Sequence, residues 1–186
     1  MVSYSGYACI AKQAGNIFLA DPNLSMQEMI EMEEMIDKIN VLQVSNLFSD
    51  VLLKTLAQNV VLILDLCYVG KYPEHYTEAL HSPSLELEQA LSKKIPTLSS
   101  KFPNKNLCSI VSITDDFRNY ENNQIHSSIF LHFLCRGLMG EATESKTGIV
   151  SCQSLYSFVQ ANLPDTHLLS AYGHGRWSQI ILAQHK

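Results

Sequence analysis

The segment Val60 to Gly70 reads VVLILDLCYVG, an apolar run that ends in an aspartate, a cysteine and a glycine. A continuous run of β-branched residues and leucines predicts a strand buried on both faces, as in a parallel sheet covered by helices. Cys67 would then lie at the carboxyl end of a central strand, where open α/β sheets place their binding sites. Two interpretations of this thiol stay open: a buried structural cysteine, or a nucleophile that needs a nearby base.

The rest of the chain alternates between strand and helix patterns, which predicts one α/β domain. Ser25 and Glu28 form a capping box for the first helix, and Ser151 caps the last. The predicted strands are Val2 to Tyr7, Asn16 to Ala20, Leu107 to Ile113 and Trp177 to Ala183. The predicted helices are Met26 to Asn40, Leu47 to Ala57, Tyr76 to Leu91, Ile125 to Met139 and Cys152 to Ala161.

The stretch from Ser92 to Asn106 holds Pro96, Pro103 and four lysines, a composition typical of an exposed connector. It divides the single domain into a first part, 1–91, and a second part, 107–186. The helix from Met26 to Asn40 is rich in methionine at helical spacing, which favours packing. An adaptable surface for a partner is the alternative.

Charge and cysteine usage exclude several classes of protein. The net charge is −5, without a basic stripe, so we expect no nucleic-acid partner. No apolar stretch approaches the roughly 20 residues of a membrane span, and no signal peptide is apparent. Five scattered cysteines predict neither a disulfide framework nor a zinc site. We therefore expect a cytoplasmic protein without a metal or other cofactor.

Two segments near the predicted strand ends carry a family resemblance. Asp65-Leu66-Cys67-Tyr68-Val69-Gly70 and Tyr4-Ser5-Gly6-Tyr7-Ala8 resemble the D-x-C-[HY]-S-G and S-G-H-G motifs of caspase-like cysteine peptidases, especially metacaspases and prokaryotic orthocaspases. Asn16 to Asp21 is similar to the family's next strand. Segments similar to the family's small subunit follow in the family's order: Ser112 to Asp116, Tyr120-Glu121, His126, Phe130, Gly137-Leu138, Gly140 to Ala142, Gly148 to Ser151 and Leu155-Tyr156.

The resemblance implies a three-layer caspase-like fold with a mostly parallel sheet flanked by helices. It assigns Cys67 as the nucleophile and the backbone N–H groups of Cys67 and Ala8 to the oxyanion. Asp65 and Asp116 would line a pocket for a substrate arginine or lysine, since paired carboxylates bind a guanidinium well. Calcium dependence is a further implication. In that family the segment corresponding to 92–106 is the place of autoprocessing, but we favour a plain solvated connector here.

Tyr7 stands where this family has its catalytic histidine. A phenol with a reference pKa near 10 does not accept a proton at neutral pH as an imidazole does. We therefore expect a pseudo-peptidase that acts by binding, regulation or assembly. The alternative is a weak cysteine endopeptidase that cleaves after Arg or Lys, and a third interpretation is a structural domain whose likeness is limited to its fold.

Two further expectations concern the ends of the sequence. The resemblance implies early strands that are lacking before Tyr4, so the segment Met1 to Ala8 would be an open sheet edge. That edge would pair with a second copy or with a fragment of the same parent protein. Near the other end, Tyr172-Gly173-His174-Gly175 imitates the lost S-G-H-G motif, and a circularly permuted fold would make His174 the base.

Overall fold

The computed structural model describes residues 1–11, 16–19, 42–68, 83–114, 121–122, 127–144 and 147–185. The strands are β1 Val2–Ala11, β2 Asn16–Leu19, β3 Leu42–Gln43, β4 Asn59–Tyr68, β5 Asn106–Thr114, β6 Glu121–Asn122, β7 Ser127–Ser128, β8 Ile149–Ser151, β9 His167–His174 and β10 Ile181–Gln184. The α-helices are α1 Val44–Lys54, α2 Pro83–Ser99, α3 Ile129–Arg136 and α4 Cys152–Asn162. A π-helical turn, Gly137–Glu141, continues α3, and a 3-10 turn, Trp177–Gln179, precedes β10.

A six-stranded sheet in the order β3-β2-β1-β4-β5-β9 forms the centre of the fold. β1, β4 and β5 are parallel neighbours, and β2 and β9 pair antiparallel at either side of them. β3 pairs antiparallel with β2 and thus runs in the direction of β1. The chain has a mixed sheet that is mostly parallel, as predicted.

Alternation along β4 divides the core into two halves. Val60, Leu62, Leu64 and Leu66 pack in one apolar cluster with α1 and α2, whereas Val61 and Ile63 pack in a second cluster with α3 and α4. Successive strand residues point to opposite faces, so helices cover both sides of β4. The result is a three-layer α/β arrangement, and the predicted buried strands at Cys67 and at Leu107 to Ile113 are confirmed.

The predicted connector at 92–106 is wrong over most of its length, because α2 continues to Ser99. Ile95 and Leu98 are buried and extend the helical spacing of Leu87 and Leu91, while Pro96 is exposed. A proline inside a helix removes one backbone donor. Here the buried apolar stripe outweighs that loss, and the connection to β5 shortens to residues 100–105.

Other predicted boundaries shift. The helix predicted from Leu47 to Ala57 is α1, three residues earlier, and the one predicted from Ile125 to Met139 begins at Ile129. Trp177–Gln179 is a 3-10 turn rather than strand, and β9 was not predicted. The helix predicted from Met26 to Asn40, with its cap at Ser25 and Glu28, lies outside the described residues, as does the start of the helix predicted at Tyr76.

The open edge predicted from Met1 to Ala8, and its pairing with another polypeptide, remain predictions, because β2 reaches only Ala8 of that segment. β1 pairs with β4 from Val2 to Ala8 and with β2 from Ala8 to Ala11. The chain returns as a hairpin and adds β2 and β3 on the side of β1 away from β4. The outermost described strand on this side is therefore β3.

Candidate functional site

One row of the sheet joins the two residues that the motifs single out. Tyr7 on β1 pairs with Cys67 on β4, Cys67 pairs with Thr114 on β5, and Thr114 pairs with His167 on β9. Cys67 is the last residue but one of β4, so it lies at the carboxyl end of a central strand, as expected. The register brings the backbones of Tyr7 and Cys67 together on adjacent parallel strands.

Asp65 lies two residues before Cys67 on the same face of β4 and is fully buried. Ser5 Oγ donates to its Oδ2 across 3.1 Å, and the Ser128 side chain forms a second hydrogen bond. Burial raises the pKa of Asp65 to about 6, while the two serine bonds act in the opposite direction. Burial is therefore the larger effect on the Asp65 pKa.

Ser128 connects this carboxyl to the start of α3. It is the N-cap of the helix, and its Oγ accepts a hydrogen bond from Leu131 N at 3.0 Å. A serine hydroxyl donates and accepts at once, so the hydroxyl can serve the helix and Asp65 together. Ser112, which pairs with Asp65 from β5, is also buried, and its Oγ has no hydrogen-bond partner among the described residues.

These hydrogen bonds and the strand register define a polar layer on the face of the sheet that α3 and α4 cover: Ser5, Asp65, Cys67, Ser112, Thr114, Ser128 and His167. Cys67 is 1% exposed and Ala8, next to the Tyr7 position, is fully buried. The roles predicted for Cys67, for the Ala8 backbone and for Asp65 in substrate binding remain predictions. Asp116 lies outside the described residues, so the pairing of the two acids also remains a prediction.

The permuted arrangement with His174 as the base is wrong. β9 runs antiparallel to β5, so His174 pairs with Leu107 at the opposite end of β5 from Thr114. The same direction reversal places His167 beside Thr114. Among the described histidines, His132 lies on α3 and the His185 ring contacts the Leu138 carbonyl oxygen at 2.9 Å, while His126 lies outside the described residues.

Sequence reasoning missed His167. It is 7% exposed, and its Nδ1 lies 3.3 Å from Thr166 Oγ1. The available signal was a strand pattern in residues 167–174, whose first residue is this histidine. Recognising it would also have required the antiparallel pairing with β5, which a single sequence does not specify.

Two features are absent from the described residues. No group of three or more His, Cys, Asp or Glu side chains there is arranged to hold a metal ion. No helix in those ranges is long and apolar enough to cross a membrane.

Comparisons with known proteins leave the family open. No protein-family model matches the chain, and no curated protein matches it. Among solved structures, the crystal structure of protein GSU0716 from Geobacter sulfurreducens is similar at 13% sequence identity and a TM-score of 0.46. That match covers 99% of this chain and 70% of the other.

Proposed function

We propose that this chain is a caspase-homology domain whose peptidase activity is impaired and which acts by binding polypeptide. The observation that supports the proposal is the register of Tyr7 with Cys67 on adjacent parallel strands. A nucleophile and a base must lie within reach of each other. Here the position beside the cysteine carries a tyrosine.

The environment of Cys67 adds support for impairment. Its side chain is 1% exposed, and a polypeptide carbonyl must reach the sulfur for acyl transfer. An active peptidase would have to open this layer on every turnover. Binding at the rim of the strand ends does not need that opening.

The second candidate is a cysteine endopeptidase that cleaves after Arg or Lys, with Cys67 as nucleophile. The buried Asp65 carboxyl favours it, because natural sequences rarely keep an acid in a core without a function. A substrate cation entering the layer would pair with this carboxylate.

Fluorogenic peptides ending in Arg or Lys, tested with and without calcium, separate the two candidates. We expect turnover to be absent or very weak, and Tyr7→His to raise it about a hundredfold or more, since a positioned base contributes that much. Tyr7→Phe is the matched control and should change nothing. Cys67→Ala identifies turnover that depends on the thiol.

Binding is measured separately, by fluorescence anisotropy of a labelled peptide that ends in an arginine aldehyde. We expect Asp65→Asn to weaken the binding of this arginine peptide more than the binding of a peptide that ends in a norleucine aldehyde. Efficient turnover by the unaltered chain, abolished by Cys67→Ala, would contradict the proposal. Equal affinity for both peptides would exclude the basic pocket.

A further inference from the structure

Two buried thiols meet in the second apolar cluster, away from the candidate site. Cys108 lies on β5 and Cys152 is the first residue of α4, and both belong to that cluster and are fully buried. A hydrogen bond joins the two side chains and, together with burial, raises the pKa of Cys108 well above its usual range. The fold therefore brings two thiols that are far apart in the sequence into hydrogen-bond contact.

A pair of thiols in contact has a chemistry that separate buried thiols lack. A lone buried cysteine acts as a small apolar packing group and is inert. Two neighbouring thiols can rotate toward each other and form a disulfide, whose sulfur atoms lie about 2.05 Å apart. No group of three or more His, Cys, Asp or Glu side chains among the described residues is arranged to hold a metal ion. The contact is therefore suited to disulfide formation.

We propose that Cys108 and Cys152 form a redox-sensitive site, which a peroxide oxidises to a disulfide between β5 and α4. The Cys152 thiolate attacks hydrogen peroxide, an S–O bond forms as the O–O bond breaks, and Cys152 becomes a sulfenic acid. The Cys108 sulfur then attacks the Cys152 sulfur, and the S–O bond breaks as the S–S bond forms. The two thiols lose two electrons and two protons, and the peroxide is reduced to two molecules of water.

The hydrogen bond and the cover of the site determine how the reaction proceeds. Cys108 holds its proton more firmly, so Cys152 reacts first. Both thiols are buried, so a peroxide reaches them only when the structure opens locally. The 3-10 turn Trp177–Gln179 lies against both β5 and α4, and directly after it Ile180 O accepts a hydrogen bond from Cys152 N at 2.9 Å. This turn is part of the cover, and we expect its opening to limit the rate.

The thiol pair is separate from the polar layer around Cys67. Cys108 pairs with Val61 of β4, whereas Cys67 pairs with Thr114 of β5. Thr114 lies six residues beyond Cys108 on β5, which is about 20 Å along an extended strand. Oxidation of the pair does not use Cys67, so the inference is independent of the proposed function.

The test is disulfide mapping of the full chain after treatment with hydrogen peroxide. Trypsin places each of the five cysteines in a different peptide, with Cys108 in 106–118 and Cys152 in 147–176. Free thiols are blocked with N-ethylmaleimide before digestion. We expect these two peptides to be linked, in a yield that does not depend on protein concentration, and dithiothreitol should separate them. Cys152→Ala should abolish the linkage. Cys135→Ser is the matched control, because it removes an exposed thiol outside the pair, and it should leave the linkage intact.

Urea unfolding of the oxidised and the reduced protein is the second measurement. A disulfide that fits the folded structure restricts the unfolded chain, here over the loop from Cys108 to Cys152, and so stabilises the folded state. We expect oxidation to raise the midpoint by about 1 M urea. Cys108→Ala should eliminate this rise.

Absence of the linked peptide after overnight treatment that fully oxidises the exposed Cys135 would overturn the inference. Linkage that forms only in the urea-unfolded chain would also overturn it, as would an oxidised protein that unfolds at the same or a lower midpoint. Cys152 that stops at a sulfenic or sulfinic acid while Cys108 stays reduced would overturn the second step. None of these outcomes depends on peptide turnover or binding, so they leave the proposed function to its own tests.

Discussion

Replacing Asp65 with asparagine should stabilise the protein at neutral pH. The side chain is fully buried, and burial raises its pKa from an ordinary 3.8 to about 6. That difference corresponds to about 3 kcal/mol of cost for keeping the carboxylate ionised in the folded state. Asparagine has nearly the same shape and carries no charge, so it removes this cost.

The stabilisation should depend on pH in a defined direction. Below about pH 4 the aspartate is protonated in both the folded and the unfolded state, and the variant has little advantage. Between about pH 4 and 6 the folded state keeps the proton while the unfolded chain releases it, so the stability of the unaltered protein falls as pH rises. Above about pH 6 the full difference applies.

Equilibrium urea unfolding at pH 4, 5, 6 and 7 measures this difference. Asparagine keeps an acceptor for Ser5 or Ser128 but loses the charge-assisted bonds, so we expect a net gain of about 1 to 3 kcal/mol at pH 7. That gain corresponds to roughly 2 to 12 °C in Tm for a chain of this size. Asp50→Asn, which alters an acid with a 60% exposed side chain on α1, is the control and should stay within about 0.5 kcal/mol. A variant that is less stable by the same amount at every pH would refute the reasoning.

Two further predictions concern the helices that cover the polar layer. Gly137→Ala should destabilise the protein by about 1 to 3 kcal/mol in urea unfolding. The reason is that an added Cβ would lie 2.5 Å from Leu155 Cδ1 in the core. A gain in stability, as alanine usually gives in helices, would contradict this prediction. Ser151→Ala should lower the free energy of unfolding by about 1 kcal/mol, because Ser151 Oγ accepts a hydrogen bond from Ser154 N at 3.1 Å at the start of α4. Ser157→Ala, on the exposed face of α4, is the control. Equal losses of stability in the two variants would argue against the cap.

The centre of the fold could be predicted from the sequence because its signals are local. β4 and β5 are rich in β-branched residues and leucines, and both are buried throughout most of their length. The cap at Ser151 was also readable, since a serine before an apolar helical pattern satisfies free backbone N–H groups. Each of these features depends on residues adjacent in the chain.

The secondary-structure predictions were wrong where contacts between residues far apart in the chain determine the structure. α2 continues through Pro96 because Ile95 and Leu98 are buried in the core, a benefit that a composition rich in lysine and proline conceals. β9 is mostly half-buried and lacks an apolar run, so its strand identity comes from pairing with β5. His167 lies beside Thr114 because of that pairing, which a single sequence does not specify.

The two faces of β4 show what distinguishes this strand end from ordinary core. On the face toward α1 and α2, the strand stays apolar through Leu64 and Leu66. On the other face it changes from Val61 and Ile63 to Asp65 and Cys67, although burial is equally complete there. Apolar residues at positions 65 and 67 would make folding more favourable, because burying an acid costs free energy whereas burying apolar surface is favourable. A sequence that departs from the local pattern on one face alone, and at the end of a central strand, is typical of a site kept for binding or chemistry.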